Sequence, residues 1–250
     1  MDRQLLLDYA IYCHGEVSRI YGMIRNNISV PYSHYEGNYI TILDDSYPAC
    51  LKELKMPPVV LFYKGDISLL KGDMLAVVGS RKASSYGLNI TAEICSILRE
   101  KATLVSGLAM GIDGAVHRSC IPFYKTIGVS GCGIDRIYPS VNRQLYQEMA
   151  LTQLIISEYP AQEKPLRYHF PIRNRIIAAL GKALIVTEAN MKSGTFLTVN
   201  EALDLNREIY AVPHRMDMEK ISGTNYLIQQ GAEVLNDEED VRKILKLFDK

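Results

Sequence analysis

The sequence has no net charge, since 28 Lys and Arg residues balance 28 Asp and Glu residues. A chain that holds nucleic acid without a positive total must gather its positive charge locally. It also has no C-x-x-C pair. Cys13, Cys50, Cys95, Cys120 and Cys132 are scattered and odd in number, a pattern that argues against a disulfide framework and against a zinc site. They read as small core residues of a reducing cytoplasm. No run approaches the ~18 apolar residues of a membrane helix. Asp2 and Arg3 stand ahead of the first short apolar run, where a secretory leader would have a basic start and a cleavage site. The expected location is the cytoplasm, with no membrane partner, no metal and no cofactor.

What is present is an ordinary globular composition, 48% hydrophobic and 22% charged over 250 residues, enough to bury a sizeable core in one large domain or in one domain plus an appendage. Residues 1–37 read as a short helical segment. Leu5, Leu6, Leu7, Ala10 and Ile11 form one stripe and Ile20, Met23 and Ile24 a second. Strands are expected over 39–43 and 59–63. From Met74 onward, short apolar runs at 74–78, 103–105, 126–129, 154–156, 183–187 and 209–212 alternate with helical stretches at 88–99, 112–119, 142–150, 173–180 and 198–206. This alternation predicts a Rossmann-like, doubly wound, mostly parallel α/β sheet, with strands apolar on both faces. The expected division is a helical segment, 1–37, and an extended Rossmann-like domain, 38–250, with its core at 74–235. A last helix near 238–248 has Asn236 as its expected cap, acids at its start and lysines later.

Ligands of open α/β sheets bind beyond the carboxyl ends of the strands, so the residues that follow each apolar run carry the functional reading. Gly79, Ser80 and Arg81 form a small-residue turn into a helix, suited to an anion, with a guanidinium fork beside it. Ser106, Gly107 and Gly111 make a second such turn. Asp113 and His117 follow it four residues apart, on one helix face. They are either an acid/base pair or, the preferred reading, a structural acid with a nearby histidine. No serine–histidine–acid triad can be assigned, and no catalytic residue is expected. The lone G-x-G at 131–133 departs from a dinucleotide fingerprint. Tyr138 after it either stacks on a base or packs at a turn.

The richest stretch is 164–175, where Lys164, Arg167, Arg173 and Arg175 occur without an acid and enclose Tyr168, His169 and Phe170, with Asn174 between the last two arginines. Cations can follow phosphates while rings offer faces to unstacked bases, the needs of a sequence-tolerant single-strand site. Phe170 is expected to pack in the core whichever reading holds. Ser193, Gly194 and Thr195 can bind phosphate through backbone and hydroxyl groups.

Together these motifs resemble the DprA/Smf family of DNA-processing proteins. The resemblance rests on V-G-S-R at 78–81, S-G-L-A-x-G-I-D-x-x-x-H at 106–117 and Y-P at 138–139, followed by S-E-Y-P at 157–160, H-F-P-x-R-N-R-I-I at 169–177 and S-G-T at 193–195. It implies a Rossmann-like protein, a homodimer rather than an enzyme, that binds single-stranded DNA, protects incoming DNA and loads RecA recombinase in natural transformation. A single-strand-binding protein is a further implied partner. It also implies DNA contacts at Arg81 and Arg167, with Arg175 a further candidate. Departures are Ser140 where a basic residue is usual, His214 in place of the glycine of V-P-G, a shorter N-terminal helical piece, and a chain end at Lys250 ahead of the winged helix some members carry. The alternative is a nucleotide-processing enzyme similar to the lysine-decarboxylase-like phosphoribohydrolases, for which Glu188, Gly194, Thr195 and Glu201 would serve.

Overall fold

Each apolar run from Met74 onward becomes a strand because its side chains are buried on both faces. The computed structural model describes residues 1–215 and 223–249. Its strands are β1 (Asn38–Thr41), β2 (Val60–Gly65), β3 (Met74–Gly79), β4 (Thr103–Gly107), β5 (Thr126–Ser130), β6 (Leu154–Ser157), β7 (Ala183–Glu188), β8 (Glu208–Ala211) and β9 (Glu233–Val234). They form one sheet in the order β1-β2-β6-β5-β4-β3-β7-β8-β9. From β6 to β9 every pairing is parallel. The β1–β2 hairpin joins β6 antiparallel. The expected mostly parallel, doubly wound α/β sheet is therefore the one found.

The helices are α1 (Arg3–Tyr12), α2 (Val17–Arg25), α3 (Ser85–Leu98), α4 (Ile112–Cys120), α5 (Arg143–Thr152), α6 (His169–Leu180), α7 (Thr195–Asp204), α8 (Gly223–Gln229) and α9 (Glu238–Ile244). Strand residues alternate between two helical layers. Ala76 and Val78 of β3 face Ile176, Ile177 and Leu180 of α6 and Val199 of α7. Leu75 and Val77 face α3, α4 and α9 through Ile94, Leu98, Val116 and Ile244. Leu6, Leu7 and Ile20 of the N-terminal helices join a third cluster with Phe62, Leu145 and Ile155. Arg3 also reaches the sheet edge, donating to the Tyr39 carbonyl at 2.7 Å and to Asp44 at 3.1 Å.

Several boundaries differ from the sequence expectation, and α3 starts at Ser85 rather than near 88. Helix α6 starts at His169 rather than near 173, because Pro171 lies in the first turn, where its missing N–H costs nothing. Helix α7 starts at Thr195 directly behind Gly194, three residues earlier than the apolar pattern suggested. Asp237, not Asn236, caps α9, accepting from the Asp240 amide at 3.0 Å.

Candidate nucleic-acid interface

The chain runs from β3 outward to β4, β5 and β6, then returns to place β7 on the other side of β3. That reversal opens a crevice at the carboxyl ends of β3 and β7, the switch point at which open α/β sheets bind ligands. Its volume is about 350 Å³, and it is lined by Gly79, Ser80, Arg81, Lys82, Ala109, Asp113, Arg173, Asn174, Asn190, Ser193, Gly194, Thr195 and Thr198 among others.

One wall is the turn after β3. A Cβ on Gly79 would lie 2.6 Å from Ile112 and 2.8 Å from the Glu188 carbonyl, so the strand end admits only hydrogen there. The Ser80 amide donates to that carbonyl at 2.7 Å, the Ser80 carbonyl accepts from the Ile112 amide at 3.1 Å, and the Ser80 hydroxyl accepts from the Lys82 amide at 3.1 Å. Gly111 backs the same turn at φ +74°, where a side chain would run into the backbone of Ser80 and Arg81. The turn thus presents the exposed Arg81 and Lys82 from a fixed backbone. The Arg81 guanidinium lies 5.4 Å from the centre of the Phe170 ring, a cation–π distance. Phe170 in turn lies 5.5 Å from the Tyr138 ring, which is half exposed.

The floor belongs to α6. Arg173 is 3% exposed, donates to the Val129 carbonyl and leaves its Nε without a hydrogen-bond partner. Burial pulls its pKa below the ordinary guanidinium value, against the opposing pull of Asp113. Burial raises the Asp113 carboxyl, while Arg173 lowers it. Asn174 donates to the Gly194 carbonyl at 3.5 Å, joining α6 to the start of α7. The Ser193 hydroxyl, at the mouth of α7, is buried without a partner. Unspent donors beside a helix N-terminus and two cations suit an anionic ligand.

Of the residues singled out in the sequence, Gly79, Ser80, Arg81, Arg173, Asn174, Ser193 and Gly194 converge on the crevice. Tyr138 and Phe170 form its aromatic rim. Phe170 is half-buried and exposed to this rim, which corrects the core placement expected for it. Lys164 and Arg167 are exposed on the segment leading into α6. Others turn inward. The Ser106 hydroxyl is buried and donates to the Val77 carbonyl. Gly107 lies beneath the crevice, flanked by Asp113 and Arg173, and Gly111 supports the wall from behind. His169 is fully buried and stacks on Tyr159 at 3.8 Å. Arg175 is 9% exposed and reaches both oxygens of Glu158 at 2.6 Å. Two helical positions after Arg173 is a turn of about 200°, so Arg175 faces away from the crevice.

Asp113 and His117 do not bond each other. His117 lies 2.7 Å from both the Gly107 carbonyl and the Thr126 hydroxyl, and burial pushes its pKa down to about 4. The two side chains therefore form no acid/base pair in this structure, each having other partners. Glu188 is 1% exposed, with its carboxylate taken by the Ser84 amide and hydroxyl at the start of α3. Neither it nor Glu201 lines the crevice; among the described residues that do, Asp113 is the one carboxylate. His214 is buried beside Glu188, 3.7 Å from its Oε2, and edge-on to the Tyr86 ring. Asn190 and Thr198 were missed. Asn190 stands two residues past β7, where the strand-end rule would have found it, and Thr198 lies on the face of α7 that Gly194 and Thr195 open.

A doubly wound sheet with a Gly-Ser-Arg turn and a cation-floored crevice at its switch point defines an α/β protein whose crevice has the chemistry to suit phosphate-bearing ligands. The particular family follows from comparison. The model of the DNA recombination-mediator protein A family matches residues 38–246, and the chain belongs to that family. DNA processing protein DprA of Streptococcus pneumoniae is 42% identical over 202 residues, 80% of this chain and 72% of the relative. The X-ray structure of S. pneumoniae DprA superposes with a TM-score of 0.83 at 35% identity, covering 97% of this chain and 93% of that one. DprA of Helicobacter pylori, whose structure was described for its single-stranded DNA binding mode, superposes at 0.77 with 31% identity, over 84% of this chain and 97% of that one.

Proposed function

We propose that this chain is a non-catalytic DNA-processing protein that binds single-stranded DNA across the switch-point crevice, protects incoming strands and hands them to RecA recombinase during natural transformation. The observation that carries the reading is the Arg81–Phe170–Tyr138 rim above the partnerless Arg173 Nε. A cation and two rings are neighbours there, a combination that serves a flexible strand with exposed bases. The H. pylori relative's described binding mode supports the same ligand class. Action as a homodimer in the cytoplasm, with a single-strand-binding protein as a further partner, belongs to the same proposal.

The test is fluorescence anisotropy with a labelled single-stranded oligonucleotide, competed by duplex DNA and by mononucleotides across a salt series. The expected result is tight, salt-sensitive binding that duplex competes poorly, with a log–log slope of about −0.7 per phosphate neutralised. Arg81→Ala and Arg167→Ala should each weaken it with the fold intact. Full competition by a mononucleotide would instead indicate a small-nucleotide pocket. A recombinase-filament assay on strand precoated with single-strand-binding protein then tests the loading step.

A further inference from the structure

The turn between α1 and α2 closes α1 through left-handed residues, the Gly15 amide donating to the Ala10 carbonyl at 2.9 Å and the His14 amide to that of Ile11 at 3.1 Å, yet it rests on a segment outside both helices. His14 has φ +55° and Gly15 φ +76°, two consecutive residues in the left-handed region. Gly15 is buried, and not by its own hairpin. A Cβ there would lie 2.7 Å from the Glu158 carbonyl and 2.9 Å from the Tyr159 ring. The turn is seated on the segment that follows β6.

Its neighbours hold that segment further along. His14 Nδ1 lies 3.0 Å from Glu163 Oε2, an N–H donated to a carboxylate. The Tyr168 hydroxyl donates to Glu16 at 3.4 Å. From the loop after β5, the Gly133 amide donates to the Glu163 carbonyl at 2.9 Å and the Asp135 amide to that of Ala161 at 3.0 Å. Residues 159–168 are thus pinned by two loops, and between the pins they present Lys164, Leu166 and Arg167 to solvent. The same segment runs into α6, which carries Phe170, Arg173 and Asn174 to the crevice.

We propose that the α1–α2 turn is a brace that sets the Lys164–Arg167 arm along the path of the strand, so that His14, Gly15 and Glu16 act as positioning residues for single-stranded DNA that they do not touch. The inference rests on the single-strand reading above. Glu16 and Glu163 are drawn into the brace, while Asp135 pairs with Lys64 and Glu158 with Arg175, which leaves the arm's outward charge positive. A loop of ten residues with two free-standing cations would otherwise lose part of its contact energy to ordering on binding.

The experiment is anisotropy with the labelled oligonucleotide on the full chain, comparing wild type, Gly15→Ala and the double variant His14→Ala/Glu16→Gln. Each is repeated in a Lys164→Ala/Arg167→Ala background, with amide hydrogen exchange read at Glu163 and His169, whose N–H groups bond Pro160 and Leu166. Both brace variants should weaken binding about threefold to tenfold, have no further effect once the arm is neutralised, and speed exchange at those two amides. Should Gly15→Ala fail to fold, the His14→Ala/Glu16→Gln protein carries the same test. Equal losses with and without the arm, or wild-type affinity in the brace variants, would overturn the brace while leaving single-strand binding standing. A wild-type protein that binds no strand would remove both.

Discussion

Arg173 and Arg175 stand two residues apart on α6, both buried and both near a carboxylate, yet they serve different ends. Arg175 reaches both oxygens of Glu158, in a pocket where burial raises the acid and the arginine pulls it down. That pair lies away from the crevice, so although Arg175 Nη1 is also buried without a hydrogen-bond partner, no open space lies beside it for a ligand. Arg173 spends one donor on a backbone carbonyl and keeps its Nε without a partner under an open crevice. Buried charge alone therefore does not mark a binding site. A buried donor still short of an acceptor, beside space for one, does.

The largest effect should come from breaking the Arg175–Glu158 pair. Arg175→Ala strands Glu158 in the interior and should cost about 3–5 kcal/mol in denaturant unfolding. Whatever protein remains folded should bind strand as the wild type does; lost binding in the folded fraction would place Arg175 with the crevice after all. His117 is a closed case, since its ring is buried and both nitrogens have neighbours within 2.7 Å. Its folded pKa, pushed down to about 4, lies below the ~6.5 of an unfolded histidine. The unfolded chain takes up the proton first, so this stabilisation is complete above ~6.5 and is lost as pH falls toward 4, up to about 3 kcal/mol. Asp113 and Glu158, whose pKa values are raised by burial, work in the opposite direction. The comparison is therefore between wild type and His117→Asn, whose urea midpoints should change less between pH 7 and pH 4.5.

On the open side, Arg81→Ala should weaken single-strand binding about tenfold with little change in melting, the value of one charge-assisted phosphate contact. Its salt slope should flatten by about 0.7. Lys164→Ala, on an exposed arm, should cost the least, about twofold to threefold in affinity and nothing measurable in stability. A Lys164 effect larger than that of Arg81 would move the main contact from the crevice to the arm.

The sheet was legible because parallel strands buried on both faces leave short apolar runs, and the switch point follows from strand order. What the pattern could not convey is phase. The basic and aromatic stretch at 164–175 has the composition of a binding surface. Helix α6, however, starts four residues earlier than the pattern suggests, and its 100° per residue sends Arg173 and Asn174 to the crevice, Arg175 to Glu158 and His169 onto Tyr159. Composition counts a cation equally whichever way it points. β9 was missed for a different reason, since two residues carry no periodicity. The seating of the N-terminal turn was not legible at all, because its partners, such as Glu163 for His14, lie 149 residues away in the chain.

The ends of the sheet carry one more consequence. An unpaired strand edge is a template for another molecule's backbone. Here one border is four residues long and the other two. At the longer border Arg3 already occupies the carbonyl of Tyr39 that an incoming strand would seek. A first-turn helical side chain thereby takes up one of the few acceptors that border offers, and Arg3→Ala should raise self-association at high concentration, read by light scattering.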